Sequence, residues 1–177
     1  MNTGSSGVIL YATYCSRKKN PGRHLPDKLY KSKRITDFIE YCRRNGLNWA
    51  ILSAKYGLIF PDREVESYDV TLRSNKRDCR GRVDKYLLGV CVIENENPLF
   101  IDESNKHLEN LIFQIREQAR EKNIKKIVFY APIPQRAKSY LAVLHAAFDD
   151  CWEKHESDDL LEHLKKSKYI EVITKLE

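Results

Sequence analysis

Short apolar runs alternate along this chain with segments in which apolar residues recur at helical spacing. Nearly continuous apolar runs cover Val8–Tyr14, Asn48–Ser53 and Lys125–Tyr130. Short β-rich runs of this kind are typical of strands that are buried on both faces of a sheet. A further strand is predicted at Tyr169–Ile173.

Between the predicted strands, apolar residues return at intervals of three or four, which predicts amphipathic helices. Ser32 is the candidate cap and Gly46 the stop signal of the first helix, whereas Asp102 or Ser104 is expected to cap the longest. Pro134 is expected to open a later helix. The apolar stripes are Ile35, Phe38, Ile39 and Cys42; Val83, Leu87, Leu88 and Cys91; Leu108, Leu111, Ile112, Ile115 and Ala119; Ala137, Tyr140, Leu141, Leu144, Ala147, Phe148 and Cys151; and a short stretch from Leu160 to Leu164.

This order of elements predicts an α/β fold, with a mainly parallel central sheet between helices in a three-layer α/β/α sandwich. The length of 177 residues fits a single domain, placed at residues 8–177 after a flexible N-terminus at residues 1–7. We find no internal repeat, no low-complexity tract and no apolar run of membrane-spanning length. The first residues also lack the features of a signal peptide, so no membrane partner is expected.

The cysteines indicate a reducing environment. The chain has five of them, an odd number, and no pair has C-x-x-C spacing. This pattern argues against a disulfide framework and against a zinc knuckle. The expectation is therefore a cytoplasmic protein with reduced thiols.

Positive charge is concentrated in two segments. Residues 17–34 contain eight Lys or Arg and one Asp, and residues 73–85 contain six Lys or Arg and two Asp, within a chain whose net charge is +6. Such concentration is the pattern expected for a polyanion partner, although charged runs are also common on solvated faces.

The segment from Leu52 to Leu72 is the most informative in the chain. Here a predicted buried strand ends in Ser53-Ala54-Lys55-Tyr56-Gly57, and a loop led by Pro61 follows. In parallel sheets, ligands bind at the carboxyl ends of the strands. The segments 15–19, 53–57 and 131–135 follow three such ends, so we expect them to converge on one crevice.

Three residues are candidates for catalysis. Cys15, beside basic residues, fits a nucleophilic thiolate or a small core residue. Lys55 fits a phosphate ligand, an amine nucleophile or a surface lysine. Asp69 fits a general base or a substrate-orienting carboxylate, or alternatively a helix cap, with Thr71 as another possible cap.

Further residues are candidates for binding. Tyr56 fits base stacking or core packing, and Gly57 is expected to supply a backbone conformation that other residues resist. The histidines show no metal-ligand spacing, so no metal is expected on that ground, although a magnesium site made of carboxylates alone would leave little trace in the sequence. No cofactor is expected. The expected substrate-binding residues are Ser16, Lys19, Ser53, Tyr56, Gly57, Tyr68 and Thr71, and the expected nucleic-acid-binding residues are Arg17, Lys18, Arg23, Arg73, Lys76, Arg77, Arg80 and Arg82.

Several of these motifs occur in one known group of proteins. The motifs are Tyr14-Cys15-Ser16 followed by lysines, Leu29-Tyr30-Lys31-Ser32, Leu52-Ser53-Ala54-Lys55-Tyr56-Gly57-Leu58, Pro61 and Tyr68-Asp69-Val70-Thr71-Leu72. With them the chain resembles the peroxide-stress YaaA-type proteins and, more distantly, the core domain of archaeosine synthase. The resemblance implies a fold like that of uracil-DNA glycosylase, association with nucleic acid and work on modified bases. The chain is much shorter than YaaA-type proteins, and it lacks the Gly-Gln-Asp-Pro-Tyr signature of uracil excision.

Three function classes follow from these observations. The first is a protein that acts on or recognises a nucleobase or nucleotide in the crevice, and the second is a non-catalytic DNA-binding or RNA-binding module. The third is a sensor or hydrolase of free nucleotides. A deep pocket shared by Cys15, Lys55 and Asp69 would favour an enzyme, whereas a shallow basic groove would favour a binding module.

Overall fold

The computed structural model describes residues 7–75, 77–80, 89–149 and 160–177. The helices are Pro26–Leu29 (α1), Lys33–Arg44 (α2), Ile101–Glu121 (α3), Lys138–Asp149 (α4) and Leu160–Leu164 (α5). The strands are Val8–Tyr14 (β1), Arg23–His24 (β2), Asn48–Ser53 (β3), Gly57–Ile59 (β4), Val65–Glu66 (β5), Val70–Arg73 (β6), Cys91–Glu94 (β7), Asn97–Pro98 (β8), Ile124–Tyr130 (β9) and Ile170–Ile173 (β10).

The central sheet has five strands in the order β10-β9-β1-β3-β4. The first four are parallel, and β4 returns antiparallel to β3 as a short hairpin. The prediction that the strands near Val8, Ala50 and Ile127 are neighbours in one parallel sheet is confirmed. The fold is therefore α/β, as the alternation of elements indicates.

Aromatic contacts show that helices cover both faces of this sheet. Tyr14 and Phe129 point to one face, where the Tyr14 ring lies 5.4 Å from that of Tyr140 on α4. Tyr130 points to the other face, and its ring stacks on Phe38 of α2 with centroids 6.1 Å apart. Successive residues of a strand face opposite sides, so β9 contributes to the core on both.

A second, three-stranded antiparallel sheet in the order β6-β7-β8 was not predicted from the sequence. Its strands have two to four residues, too short for alternation to be recognised. Cys91 begins β7, so its assignment to a helix is wrong, whereas Val83, Leu87 and Leu88 lie outside the described residues.

The start of α3 also differs from expectation. Phe100 occupies the N-cap position, so neither Asp102 nor Ser104 is the cap. Ser104 is buried inside the helix, where its Oγ accepts a hydrogen bond from the backbone N–H of Val92 at 2.9 Å. The serine thus provides a hydrogen-bond acceptor for a backbone N–H of the second sheet. Ser32, in contrast, caps α2 as predicted.

The expectation of reduced cysteines is wrong for one pair. A disulfide joins Cys79, on the loop after β6, to Cys91 of β7. An odd number of cysteines excludes only the pairing of all of them. The antiparallel pairing of β6 with β7 places Arg73 opposite Cys91, close to the start of that loop. Cys15 and Cys42 are buried free thiols.

The turn between β3 and β4 requires glycine. Gly57 has φ +70°, and a Cβ there would lie 2.7 Å from Oε1 of Gln118. Gly46 has φ +61° but no atom within 4 Å of such a Cβ. The sequence-based expectation that Gly57 supplies an unusual backbone conformation is confirmed.

We expect Gly57→Ala to destabilise the fold more than Gly46→Ala does. Both variants carry the left-handed backbone cost of roughly 1–2 kcal/mol for a non-glycine residue, and only Gly57→Ala adds the clash with Gln118. Urea denaturation of the two variants measures the difference. Equal losses would show that Gln118 moves aside freely.

Candidate functional site

One face of the second sheet forms the floor of a charged cavity. Thr71 pairs with Ile93, which pairs with Pro98, so these three side chains lie on one face together with that of Arg73. On the opposite face, Leu72 is buried in the hydrophobic core. The sheet thus separates the core from the cavity.

The cavity has a volume of about 390 Å³. This is near the lower end of the roughly 300–1,000 Å³ that is usual for small-molecule sites. Arg17 reaches it from the loop after β1 and Glu96 from the turn between β7 and β8, and the loop after β6 supplies a further wall. Its lining residues are Arg17, Asp69, Thr71, Arg73, Arg77, Asp78, Arg80, Ile93, Glu96 and Pro98. We refer to it as the arginine cavity.

Carboxylates neutralise two of the four arginines. Arg17 forms an ion pair with Glu96, and Nε of Arg73 lies 3.7 Å from Oδ2 of Asp78. Arg77 and Arg80 have no carboxylate within ion-pair distance among the residues that the structure describes. These two guanidinium groups are therefore the cations that remain available to an anionic ligand.

A second cavity adjoins the first at Asp69. It has a volume of about 470 Å³ and is lined by Lys55, Ser67, Tyr68, Asp69, Val70, Glu94 and Asn95. Lys55 and Asp69 are exposed. Asp69 precedes a strand and Thr71 lies within it, so the helix-cap alternative for both residues is wrong.

Beneath the second cavity lies a buried cluster of hydroxyl and thiol groups. The hydroxyl groups of Tyr30 and Tyr68 are 2.6 Å apart, and Sγ of Cys15 lies 3.3 Å from the hydroxyl of Tyr140. Burial raises the pKa of all three tyrosines well above its ordinary value, so the phenols are neutral at physiological pH. Cys15 is buried and lines neither of the two cavities.

Lys19 packs against this cluster and lines neither of the two cavities. Its Nζ is 4.2 Å from the centroid of the Tyr68 ring and 3.4 Å from the carbonyl oxygen of Arg17, to which it donates a hydrogen bond. Burial lowers the pKa of Lys19 below its ordinary value. Cys15 and Asp69 oppose this lowering, and Arg17 adds to it.

The loop from Ser53 to Gly57 is held by two side chains. Oγ of Ser53 accepts hydrogen bonds from the backbone N–H groups of Lys55 and Tyr56, both at 3.0 Å. Gln118 of α3 accepts from the N–H of Leu58 at 2.8 Å and donates to the carbonyl oxygens of Tyr56 and Leu58. Ser53 therefore shapes the loop rather than facing a cavity.

The chain matches the model of a protein family of unknown function, DUF6884, over residues 10–171. It belongs to this family. No curated protein and no solved structure matches the chain. The family match includes every residue that lines the two cavities and all of the second sheet.

Several predicted site residues in this DUF6884 chain lie apart from the arginine cavity. Ser16 donates a hydrogen bond to the carbonyl oxygen of Lys18, and the Lys18 residue is exposed. Arg23 forms an ion pair with Glu64. The half-buried Tyr56 presents its ring to Tyr68 at 5.3 Å. Lys76 and Arg82 lie outside the described residues.

The expected crevice at three strand ends forms only in part. The loops after β1 and β3 reach the cavities, but Pro134, in the segment after β9, lines a different cavity. Among the described residues, no three His, Cys, Asp or Glu side chains are grouped to hold a metal ion, and no helix is long and apolar enough to cross a membrane.

Sequence reasoning missed several contributors to the site, among them Asp78, which pairs with Arg73. Glu96 neutralises Arg17, Tyr30 and Tyr140 complete the buried cluster, and Arg34 holds the end of β1. The Arg34 guanidinium lies 3.7 Å from the centroid of the Tyr14 ring and donates to the carbonyl oxygen of Tyr14 at 2.9 Å. Tyr30 lies within Leu29-Tyr30-Lys31-Ser32, one of the motifs on which the resemblance is based, so the sequence could have indicated it. The other residues lie in none of these motifs.

Proposed function

We propose that this protein recognises a nucleotide, free or within DNA or RNA, and holds its phosphate in the arginine cavity. The observation that carries the proposal is the pair Arg77 and Arg80, which line a cavity of ligand size with no carboxylate partner among the described residues. Guanidinium groups bind phosphate through parallel charge-assisted hydrogen bonds.

The shape of the cavity supports a compact ligand of mixed polarity. Asp69 and Asp78 stand beside the arginines. Carboxylates of this kind accept hydrogen bonds from sugar hydroxyl or base amino groups. Tyr68 lines the neighbouring cavity together with Asp69, and an aromatic side chain there would contact a base. A nucleotide combines all three features.

The geometry favours recognition over the chemistry suggested by the sequence. Lys55 and Asp69 share a cavity, but the buried Cys15 lines neither that cavity nor the arginine cavity. The three predicted catalytic residues therefore do not surround one small ligand. A non-catalytic module for DNA or RNA and a sensor of free nucleotides differ from this proposal only in the form of the ligand, whereas a hydrolase of free nucleotides differs by its chemistry as well.

The resemblance to YaaA-type proteins and to the archaeosine synthase core belongs to the same proposal. So does the three-layer sandwich of uracil-DNA-glycosylase type, which helices on both faces of a parallel sheet support. A cytoplasmic location is proposed with it, and the disulfide between Cys79 and Cys91 is the observation that weighs against that location.

We expect nucleotide affinity to fall steeply as salt concentration rises, because counterions are released when arginines neutralise phosphate. Fluorescence titration with a labelled nucleoside monophosphate and with a labelled single-stranded oligonucleotide, each at several salt concentrations, measures this. A steeper salt dependence for the oligonucleotide would identify a polymer as the ligand, whereas equal slopes would identify a free nucleotide. An affinity that does not change with salt would refute the proposal.

A further inference from the structure

Asp69 lies at the junction of the two cavities. Among the residues that the structure describes, it alone lines both of them. Its carbonyl oxygen accepts a hydrogen bond from the backbone N–H of Asn95 at 2.9 Å, which extends the pairing of β6 with β7 by one residue. Side chains two positions apart in a strand share a face, so Asp69 continues the row of Thr71 and Arg73 along the floor of the arginine cavity. The sheet therefore fixes the backbone of Asp69 between the two cavities.

The carboxylates of the arginine cavity differ in what they contact. Glu96 forms an ion pair with Arg17, and Asp78 forms one with Arg73. The carboxylate of Asp69 forms neither an ion pair nor a hydrogen bond with any residue in the described part of the chain. Asp69 does not neutralise an arginine, so both of its carboxylate oxygens are available as acceptors for a ligand.

The charges of the two cavities set the direction in which a nucleotide lies. The guanidinium groups of Arg77 and Arg80 attract phosphate in the arginine cavity. The second cavity holds two carboxylates, those of Asp69 and Glu94, against the single ammonium group of Lys55, so a phosphate placed there would meet net negative charge. The phosphate thus belongs in the arginine cavity and the base in the second cavity. The sugar that joins them then crosses the junction at Asp69.

We propose that the Asp69 carboxylate accepts a hydrogen bond from the 2′-hydroxyl group of this sugar, and that the ligand is therefore a ribonucleotide, either free or within RNA. This inference rests on the proposed function and names the class of nucleotide. The 2′-hydroxyl group is the donor that ribose has and deoxyribose lacks. A carboxylate beside a phosphate repels it, and with a deoxyribonucleotide no hydrogen bond offsets that repulsion. Asp69 thus selects for ribose and against deoxyribose.

Isothermal titration calorimetry of the full chain with adenosine 5′-monophosphate and with its 2′-deoxy counterpart measures this preference. We expect the ribonucleotide to bind about tenfold more tightly, because a hydrogen bond to a charged group contributes roughly that factor or more. Oligoadenylate and oligodeoxyadenylate of equal length form a second pair of probes. Tighter binding of oligoadenylate than of the mononucleotide would identify RNA as the source of the ribose, and equal or weaker binding would identify a free ribonucleotide.

Two variants assign the preference to one carboxylate. Asp69→Ala should bind the two mononucleotides equally, because the 2′-hydroxyl group loses its acceptor. Its affinity for the deoxyribonucleotide should not fall, because the substitution removes a charge that repels phosphate. Glu94→Ala is the matched control, since Glu94 is an exposed carboxylate that lines the second cavity alone. Whatever its effect on the two affinities, their ratio should remain that of the native chain.

Three results would overturn the inference: equal affinities of the native chain for the two mononucleotides, a preference that survives in Asp69→Ala, or a preference that is lost equally in Glu94→Ala. In each case a nucleotide still binds, so the proposed function would stand. A native chain that bound neither the mononucleotides nor the oligonucleotides would refute the proposed function, and the inference would fall with it.

Discussion

A chain in which Arg77 and Arg80 are both replaced by alanine is expected to bind a nucleotide about a hundredfold more weakly than the native chain. Hydrogen bonds to charged groups contribute roughly 1.5–3 kcal/mol each, and every 1.4 kcal/mol corresponds to a factor of about ten in affinity. Isothermal titration calorimetry with a nucleoside monophosphate measures the loss. Both side chains are exposed, so thermal stability should be unchanged.

The matched control replaces Lys18 and Arg23 with alanine. These residues belong to the first basic segment, are exposed, and line neither the arginine cavity nor its neighbour. This control removes the same charge, so its affinity should stay within about threefold of native, since screened charges act weakly at a distance. Equal losses in the two double variants would mean that diffuse charge, and not the cavity, attracts the ligand.

Replacing both Cys79 and Cys91 with alanine is expected to lower the free energy of unfolding by about 3 kcal/mol, the amount that loop closure predicts for a disulfide across a loop of this length. The two cysteines are 12 positions apart in sequence. Because Cys79 is adjacent to Arg80, nucleotide affinity should fall in the same variant. Urea denaturation and calorimetry measure the two effects.

Reductant gives the internal control for the disulfide. It should destabilise the native chain by a similar amount and leave the double variant unchanged. Cys42→Ala is the matched single variant, because Cys42 is a buried thiol outside any disulfide and burial raises its pKa to about 12. That variant should remain sensitive to reductant. If reductant did not change the free energy of unfolding of the native chain, that result would contradict the disulfide.

The four parallel strands of the central sheet could be predicted because they are apolar runs, whereas the three-residue β4 was not predicted. Val8–Tyr14 and Asn48–Ser53 match the observed strands residue for residue. Their pairing also follows from general rules, since consecutive strands joined by a helix lie parallel in one sheet. The cap of α2 at Ser32 follows from local chemistry alone.

The second sheet could not be predicted, and with it the floor of the cavity was missed. Its strands are held by contacts distant in sequence, such as the bond from Val92 to Ser104 and that from the N–H of Leu72 to the hydroxyl of Tyr140. Local patterns do not record such contacts. Ser104 therefore resembled a helix cap, although its hydroxyl serves a strand.

The sequence identified the candidate residues more readily than it showed which of them share a cavity. Charge clustering identified Arg73, Arg77 and Arg80, which share one cavity. Strand ends alone placed Cys15 in the same crevice, but its thiol lies beside the hydroxyl of Tyr140 in the core. The direction of a side chain after the last strand residue depends on packing that the sequence does not show.

A crystal structure of the chain with a bound nucleoside monophosphate tests the central claim most directly. The account predicts phosphate oxygens within hydrogen-bond distance of the guanidinium groups of Arg77 and Arg80, with the sugar or base toward Asp69 and Tyr68. A nucleotide bound elsewhere on the chain, with the arginine cavity empty, would contradict it.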